Sequence, residues 1–249
     1  MSQIRKTIFP ALFVLLLFPA LVMSQDKQSD HEFGATIAFT TNYMFRGITQ
    51  TDNKPAGQGE INYAYSPLGF YAFIWASNVD FNDGDTNIEI DYAFGFAGEL
   101  SNKLGWDVGF VYYNYPDSSI EPNYDYLELY AGLSYTLENL PMSPSVGGKF
   151  SYSPDYYGED GDAIYIEGDI SFNLPYDIAL AFHVGYLDVD GEDTFPEGYD
   201  FADFSVGLSK EVFGLDADLT YTNTGDQEDA CGSGNWCDGH VIFSLSKSF

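Results

Sequence analysis

Few residues in this chain could carry covalent chemistry. His183, with Ser171, Ser205, Asp169 and Asp203, supplies the residue types that a hydrolase uses as base, nucleophile and orienting acid. No spacing among them reproduces a triad, so His183 is expected to line an interior rather than to activate a hydroxyl. The stretches "DVDGED" (188–193) and "GEDGD" (158–162) resemble pieces of calcium loops. Neither completes the ligand series with a downstream Glu at the required spacing, so solvated acidic loops are expected, with weak divalent-ion binding allowed. Cys231 and Cys237 lie in "CGSGNWC". In an exported chain such a pair is expected to form a disulfide closing a tight loop, worth about 2 kcal/mol. Zinc binding by two thiols lacks a second pair of ligands nearby. No cofactor is called for.

The remaining chemistry is charge. The 249 residues carry 38 Asp and Glu against 9 Lys and Arg, a net charge of −29. That balance excludes a basic nucleic-acid surface. Acidity of this degree usually accompanies disorder, but 18% of the residues are aromatic, which marks a chain that folds.

Alternating strands would position these charges. In "NIEIDYAFGF", Ile88, Ile90, Tyr92, Phe94 and Phe96 oppose Glu89, Asp91, Ala93 and Gly95; in "DIALAFHVGY", Ile178, Leu180, Phe182, Val184 and Tyr186 oppose Ala179, Ala181, His183 and Gly185. A period of two means strands with unlike faces. The pattern predicts twelve strands, at about 33–45, 58–65, 70–78, 87–97, 104–113, 124–137, 145–152, 163–174, 177–187, 201–210, 215–223 and 240–249. Short connections such as "SPLG", "LP" and "EVFG" follow the even strands, and long ones such as "VDFNDGDT" and "DVDGEDTFPEGYD" follow the odd strands. A β-sandwich would share the alternation. Strands near ten residues, an even count and connections sorted by length point instead to an all-β fold, a transmembrane antiparallel up-and-down β-barrel with tight periplasmic turns and long outer loops.

The first residues agree with export. Arg5 and Lys6 precede an apolar run from Ile8 to Val22 and small or polar residues near Ser24. This reads as a signal peptide over 1–24, leaving the barrel at 25–249. The run includes Pro10 and Pro19 and is short of the roughly 20 residues of a spanning helix. The closing "HVIFSLSKSF" alternates to a terminal aromatic, Phe249, which resembles the signal read by the outer-membrane assembly machinery; Lys247 departs from it by placing a charge on the apolar parity. The expected setting is the outer membrane of a Gram-negative bacterium, with its lipid against the apolar faces.

Strand parity then assigns inward carboxylates at Glu60, Glu89, Asp91, Asp107, Glu128, Glu167, Asp169, Asp203, Asp216 and Asp218, against inward bases at Arg46 and Lys149. Unpaired buried charges cost several kcal/mol each, so such an interior is expected to hold water. Twelve strands tilted by about 40° give a backbone radius of roughly 12 Å, suited to small hydrophilic solutes.

The stretch "FTTNYMFRGITQTDNKPAGQGEINYAYSPLGFYAFIWASNVDF", above all "YMFRGITQTDNKPAGQG" and "YAFIWASNVDF", resembles the TorF family of proposed porins, a group of proteobacterial exported proteins. The resemblance implies an outer-membrane location and a pore, and carries no residue roles with it. Within the stretch, Asn42, Met44 and Arg46 face inward if Tyr43 and Phe45 face lipid. Arg46 would form a structural ion pair with an inward carboxylate such as Glu60, or else act as a constriction charge that tunes selectivity. Gly47, Asn53, Pro55, Gly57 and Gly59 read as loop chemistry. The expected function is a porin-like channel for small cationic or neutral solutes. A non-conducting structural or adhesion barrel is the alternative, and a membrane-barrel hydrolase a weaker one.

Overall fold

The computed structural model describes residues 29–100, 103–192, 195–225, 231 and 235–249. The expected signal peptide lies outside these residues, as does Asp193 of the "DVDGED" loop. The elements in chain order are β1 (His31–Thr40), β2 (Met44–Phe45), β3 (Ile48–Thr49), β4 (Ala56–Tyr65), β5 (Phe70–Asn78), β6 (Ile88–Glu99) and β7 (Leu104–Asn114). They continue with β8 (Tyr126–Thr136), β9 (Ser145–Ser153), β10 (Ala163–Leu174), β11 (Ile178–Val189), β12 (Tyr199–Val212), β13 (Leu215–Thr224) and β14 (His240–Ser248). Twelve of these strands, all but β2 and β3, form one closed antiparallel barrel in which each pairs with its neighbour in sequence and β14 returns to β1. Closure leaves no sheet edge, which is what a sheet standing in hydrocarbon requires.

The outward face has three bands. Aliphatic residues and phenylalanines such as Ile37, Ile61, Leu129, Ile166, Val184 and Leu219 are exposed around its middle. At the turn end stand Phe33, Tyr176 and Phe213, exposed by 81%, 82% and 102%. At the loop end, Tyr112 and Tyr186 donate their hydroxyls to Asp125 and Asp200 at 3.0 and 2.9 Å. Two aromatic girdles around an apolar belt match the two interfaces of a bilayer. The tight turns close one end; after β4, Ser66–Leu68 makes a single 3-10 turn ended by Gly69 at φ +64°, where a Cβ would fall 2.0 Å from the Ala97 carbonyl oxygen.

Inside, small residues alternate with tyrosines across strand pairs. Gly95 lies under Tyr71, Gly109 under Tyr130 and Gly185 under Tyr165; a Cβ at Gly185 would come within 1.9 Å of the Tyr165 hydroxyl. The small face visible in the sequence is therefore floor for rings from the next strand.

One expected strand is shorter than its pattern. β1 stops at Thr40, and the chain turns into the barrel rather than continuing to residue 45. Tyr43 is 4% exposed and Phe45 packs against the buried cluster, so neither faces lipid. The alternation of 41–45 belongs to an inner hairpin, β2–β3, with its own two faces.

Candidate functional site

The inner hairpin builds the site. Arg46 and Gly47, at φ +47° and +76°, form the two-residue turn between β2 and β3. Both central residues with positive φ make the turn that matches strand twist, with glycine in one of its usual places and arginine in an unusual one. A knot of side chains holds the hairpin base. Asn42 Oδ1 accepts from the Thr49 and Thr51 hydroxyls at 2.6 and 3.1 Å, while its Nδ2 donates to Asn53 Oδ1 at 3.0 Å. The Thr51 hydroxyl also accepts from the Tyr43 backbone N–H at 3.1 Å. From above, the Thr49 N–H donates to the Trp236 carbonyl at 3.0 Å, and the Trp236 indole N–H donates to Asp52 Oδ1 at 3.0 Å. Trp236 sits beside the disulfide joining Cys231 to Cys237, so the bridged loop rests on the hairpin.

The hairpin crosses the lumen. A Cβ at Gly47 would meet Thr224 and Asp203, on β13 and β12, at 2.5 and 2.9 Å. Arg46 Nη2 donates to Glu128 Oε2 on β8 at 2.5 Å, and its guanidinium lies 4.0 Å from the Tyr165 ring centre on β10. Tyr43 packs edge-on against Trp75 and Phe45 against Tyr113, which stacks on Tyr126. The ion-pair reading of Arg46 thus has Glu128 as its partner and not Glu60. The physical reason is reach: the turn carries Arg46 to the far wall, while Glu60 stays on β4, half-buried, and accepts from Asn62 at 2.8 Å.

The other sequence-assigned residues all point inward, mostly into pairs. Lys149 Nζ lies 2.8 Å from Glu167 Oε1, its register partner on β10. His183 Nδ1 is 2.8 Å from Asp169 Oδ1, and Nε2 is 3.2 Å from Asp203 Oδ1 and 3.1 Å from the Tyr165 hydroxyl. Ser205 is the cross-strand partner of His183, but both ring nitrogens are committed to acids, which leaves neither to take a proton from that serine. Asp107 accepts from Tyr71 at 2.7 Å, and Tyr71 meets the Tyr130 hydroxyl. Glu89 accepts from Tyr115 at 2.9 Å. Asp91 is 1% exposed with Oδ1 unpartnered, Asp216 is half-buried, and Asp218 is 4% exposed with neither oxygen partnered.

Sequence parity also missed inward groups. Glu32, Glu99 and Glu211 face inward at the turn end, at strand termini where the alternation is too short to read. The inward tyrosines Tyr71, Tyr113, Tyr115 and Tyr165 were not assigned a side either: "FYAFIWASN" is apolar on both faces, so its alternation leaves Tyr71 unplaced, and the partners of these hydroxyls carry no local signal. Beneath the hairpin remains a cavity of about 70 Å³ bordered by Arg46, Glu128, Lys149, Glu167, His183 and Asp218. Among the described residues no group of three or more His, Cys, Asp or Glu is arranged to hold a metal ion.

A closed twelve-stranded barrel with an apolar belt, two aromatic girdles and a charged interior is the fold of an outer-membrane β-barrel. Solved structures agree. The NanC porin superposes with a TM-score of 0.54 at 10% identity, over 86% of this chain and 98% of that one. The COG4313 outer membrane channel from Pseudomonas putida F1 also gives 0.54, at 8% identity, over 87% and 95%. Residues 24–249 match the family described as a bacterial protein of unknown function, Gcw_chp, and the chain belongs to that family. No curated protein matches it.

Proposed function

We propose that this protein is an outer-membrane porin-like channel that passes small hydrophilic solutes and prefers cations, with no enzymatic step. The observation that carries the reading is the imbalance of the inner face: ten sequence-assigned carboxylates face two permanently charged bases, and those bases are already paired with Glu128 and Glu167. The surplus gives the interior a negative field, which concentrates cations and repels anions. The porin and channel barrels with the same fold support this reading. The inner hairpin narrows the path, so solutes would pass beside or beneath it.

The test is conductance of the reconstituted protein. Reversal potentials in a potassium chloride gradient should favour potassium, more so in dilute salt, because the Debye length falls from about 10 Å at 0.1 M to about 3 Å at 1 M. Neutralising Glu89, Asp91, Glu167 and Asp169 together should reduce the preference. Neutralising Asp190, Glu192 and Asp193 in the loop should do less.

A second reading, a sealed structural or adhesion barrel, is favoured by one specific observation. The hairpin and the tyrosines around it fill the loop-side half of the lumen with buried rings. A variant in which Met44–Thr49 is replaced by a short glycine linker separates the two. A channel should conduct several-fold more without the hairpin. Silence from both forms would defeat the porin reading.

A further inference from the structure

Lys247, which breaks the apolar alternation of the last strand, shares an unusual condition with one neighbour. Every other lysine or arginine among the described residues is ion-paired: Arg46 with Glu128, Lys54 with Asp80, Lys103 with Glu138 and Lys149 with Glu167. In a chain of 38 acids, Lys210 and Lys247 alone among those described have no carboxylate partner. Both stand on the outward face near the turn end, on β12 and β14, with β13 between them. Ala217 on β13 pairs with Lys210 on one side and Leu245 on the other, and Lys247 follows two residues nearer the turn. Strand spacing puts their Cα atoms about 12 Å apart, within the joint reach of two lysine side chains. Lys247 Nζ donates to the Gly214 carbonyl at 2.6 Å, in the turn between β12 and β13, so it already leans across β13 toward Lys210. The acids of these strand ends, Glu211 and Asp216, pair in register and face inward. Beside Lys247 the outer wall is grooved. Ile37 and Phe39 on β1, Leu215 on β13 and Leu245 on β14 border a hollow of about 210 Å³. Ile37 pairs with Lys247 and Phe39 with Leu245, so the hollow lies along the β1–β14 join with the ammonium at its turn end.

We propose that this patch holds one anionic glycerophospholipid, with an acyl chain in the groove and the phosphate between Lys247 and Lys210. The medium selects a lipid, because the groove opens on the apolar belt and its occupant must come from the bilayer. Depth places the headgroup. Phe213, in the same β12–β13 turn and fully exposed, belongs to the aromatic girdle, which sits at headgroup level, and lysines near strand ends extend to that level. Charge selects the class. Lys247 uses one of its three N–H donors on Gly214, leaving two for phosphate oxygens, and Lys210 has all three. A zwitterionic lipid brings its own cation beside its phosphate, so it gains less from the pair. Short turns face the periplasm in such barrels, which makes the occupant a lipid of the periplasmic leaflet. The site is on the outer wall and is independent of whether the lumen conducts.

The experiment titrates the full chain, refolded in neutral detergent, with dioleoyl phosphatidylglycerol or dioleoyl phosphatidylcholine and counts retained lipid by native mass spectrometry. One phosphatidylglycerol should stay bound per barrel, roughly 25-fold more tightly than phosphatidylcholine, since each lysine near an anionic headgroup is worth about fivefold. Lys210→Gln and Lys247→Gln should each lose about fivefold, and the double variant should treat the two lipids alike. Arginine at both positions should keep the preference. Lys103→Gln, at the turn end but paired with Glu138, should leave it unchanged. Equal retention of the two lipids by the unmutated protein would overturn the site without recourse to any variant. So would a preference that survives loss of both lysines. Displacement of the lipid by glycerol phosphate alone would reduce the patch to a free-anion site with no part for the groove, and a lipid-free barrel dimer that the double variant disperses would give the face to a second copy instead.

Discussion

Arg46 shows how one residue can commit a loop to the barrel interior. Its side chain is 6% exposed and its partner Glu128 4%, so each charge depends on the other for solvation. Breaking such a buried pair from one side costs about 3–5 kcal/mol, whereas removing both charges together is often close to neutral. Arg46→Met is therefore expected to lower stability by about 3 kcal/mol, and adding Glu128→Leu to recover most of the loss, as read by denaturant unfolding in detergent micelles. Gly185 works at the same scale from the opposite side. Its missing Cβ is the space taken by the Tyr165 hydroxyl, and Tyr165 in turn carries the guanidinium. Gly185→Val should cost about 1–3 kcal/mol by overpacking and displace the ring under Arg46.

Among the elements, the inner hairpin depends on both its own knot and the loop above it. Replacing both Cys231 and Cys237 by Ser should leave the barrel assembled, because the bridge lies outside the sheet, but free Trp236 from Thr49 and Asp52. A red-shifted tryptophan emission and raised conductance are the expected signs. Loop order also depends on pH. Hydrogen bonds from the Ser119 backbone N–H and hydroxyl hold the Asp85 carboxyl below its usual range. A depressed folded pKa means that this contact is intact above the ordinary carboxylate pKa of about 4 and is lost as pH falls through the lower folded value. Limited proteolysis of the 79–87 and 115–125 loops should therefore stay constant from pH 7 to about pH 5 and rise only in stronger acid. These elements were unequally legible in the sequence. The strand 163–174 was legible because Ile164, Ile166, Ile170, Phe172 and Leu174 share one parity against Glu167, Asp169, Ser171 and Asn173 on the other. The hairpin could not, since "NYMFRG" continues the alternation of β1 while the backbone has left the wall. Period reports two unlike faces and is silent on which medium each face meets. The Arg46–Glu128 pair, 82 residues apart, had no local signal at all.

For the molecule as a whole, charge and closure set the behaviour. A net charge of −29 gathered on the loops and inside the barrel, with an apolar belt between, makes the protein amphiphilic along its axis and across its wall. Raising ionic strength should therefore stabilise the folded barrel by screening repulsion among the loop carboxylates, a rise in Tm that sodium and choline salts share. Closure itself is uneven. β1 and β14 share five register pairs, Thr36–Thr40 with Ser244–Ser248, whereas β10 and β11 share twelve. His31–Ala35 runs past the end of β14, where the Phe249 N–H donates to the Ala35 carbonyl, and at the loop end the Thr41 N–H donates to the Phe243 carbonyl. The wall thus has a weak stave. Opening free energy varies along a structure with its local bonding, so amide exchange should begin at the β1–β14 join and reach β10 and β11 last. A cylinder with one short join unrolls from a defined line. That line is also where the strand made first meets the strand made last, so the slowest folding contact and the earliest unfolding one coincide there.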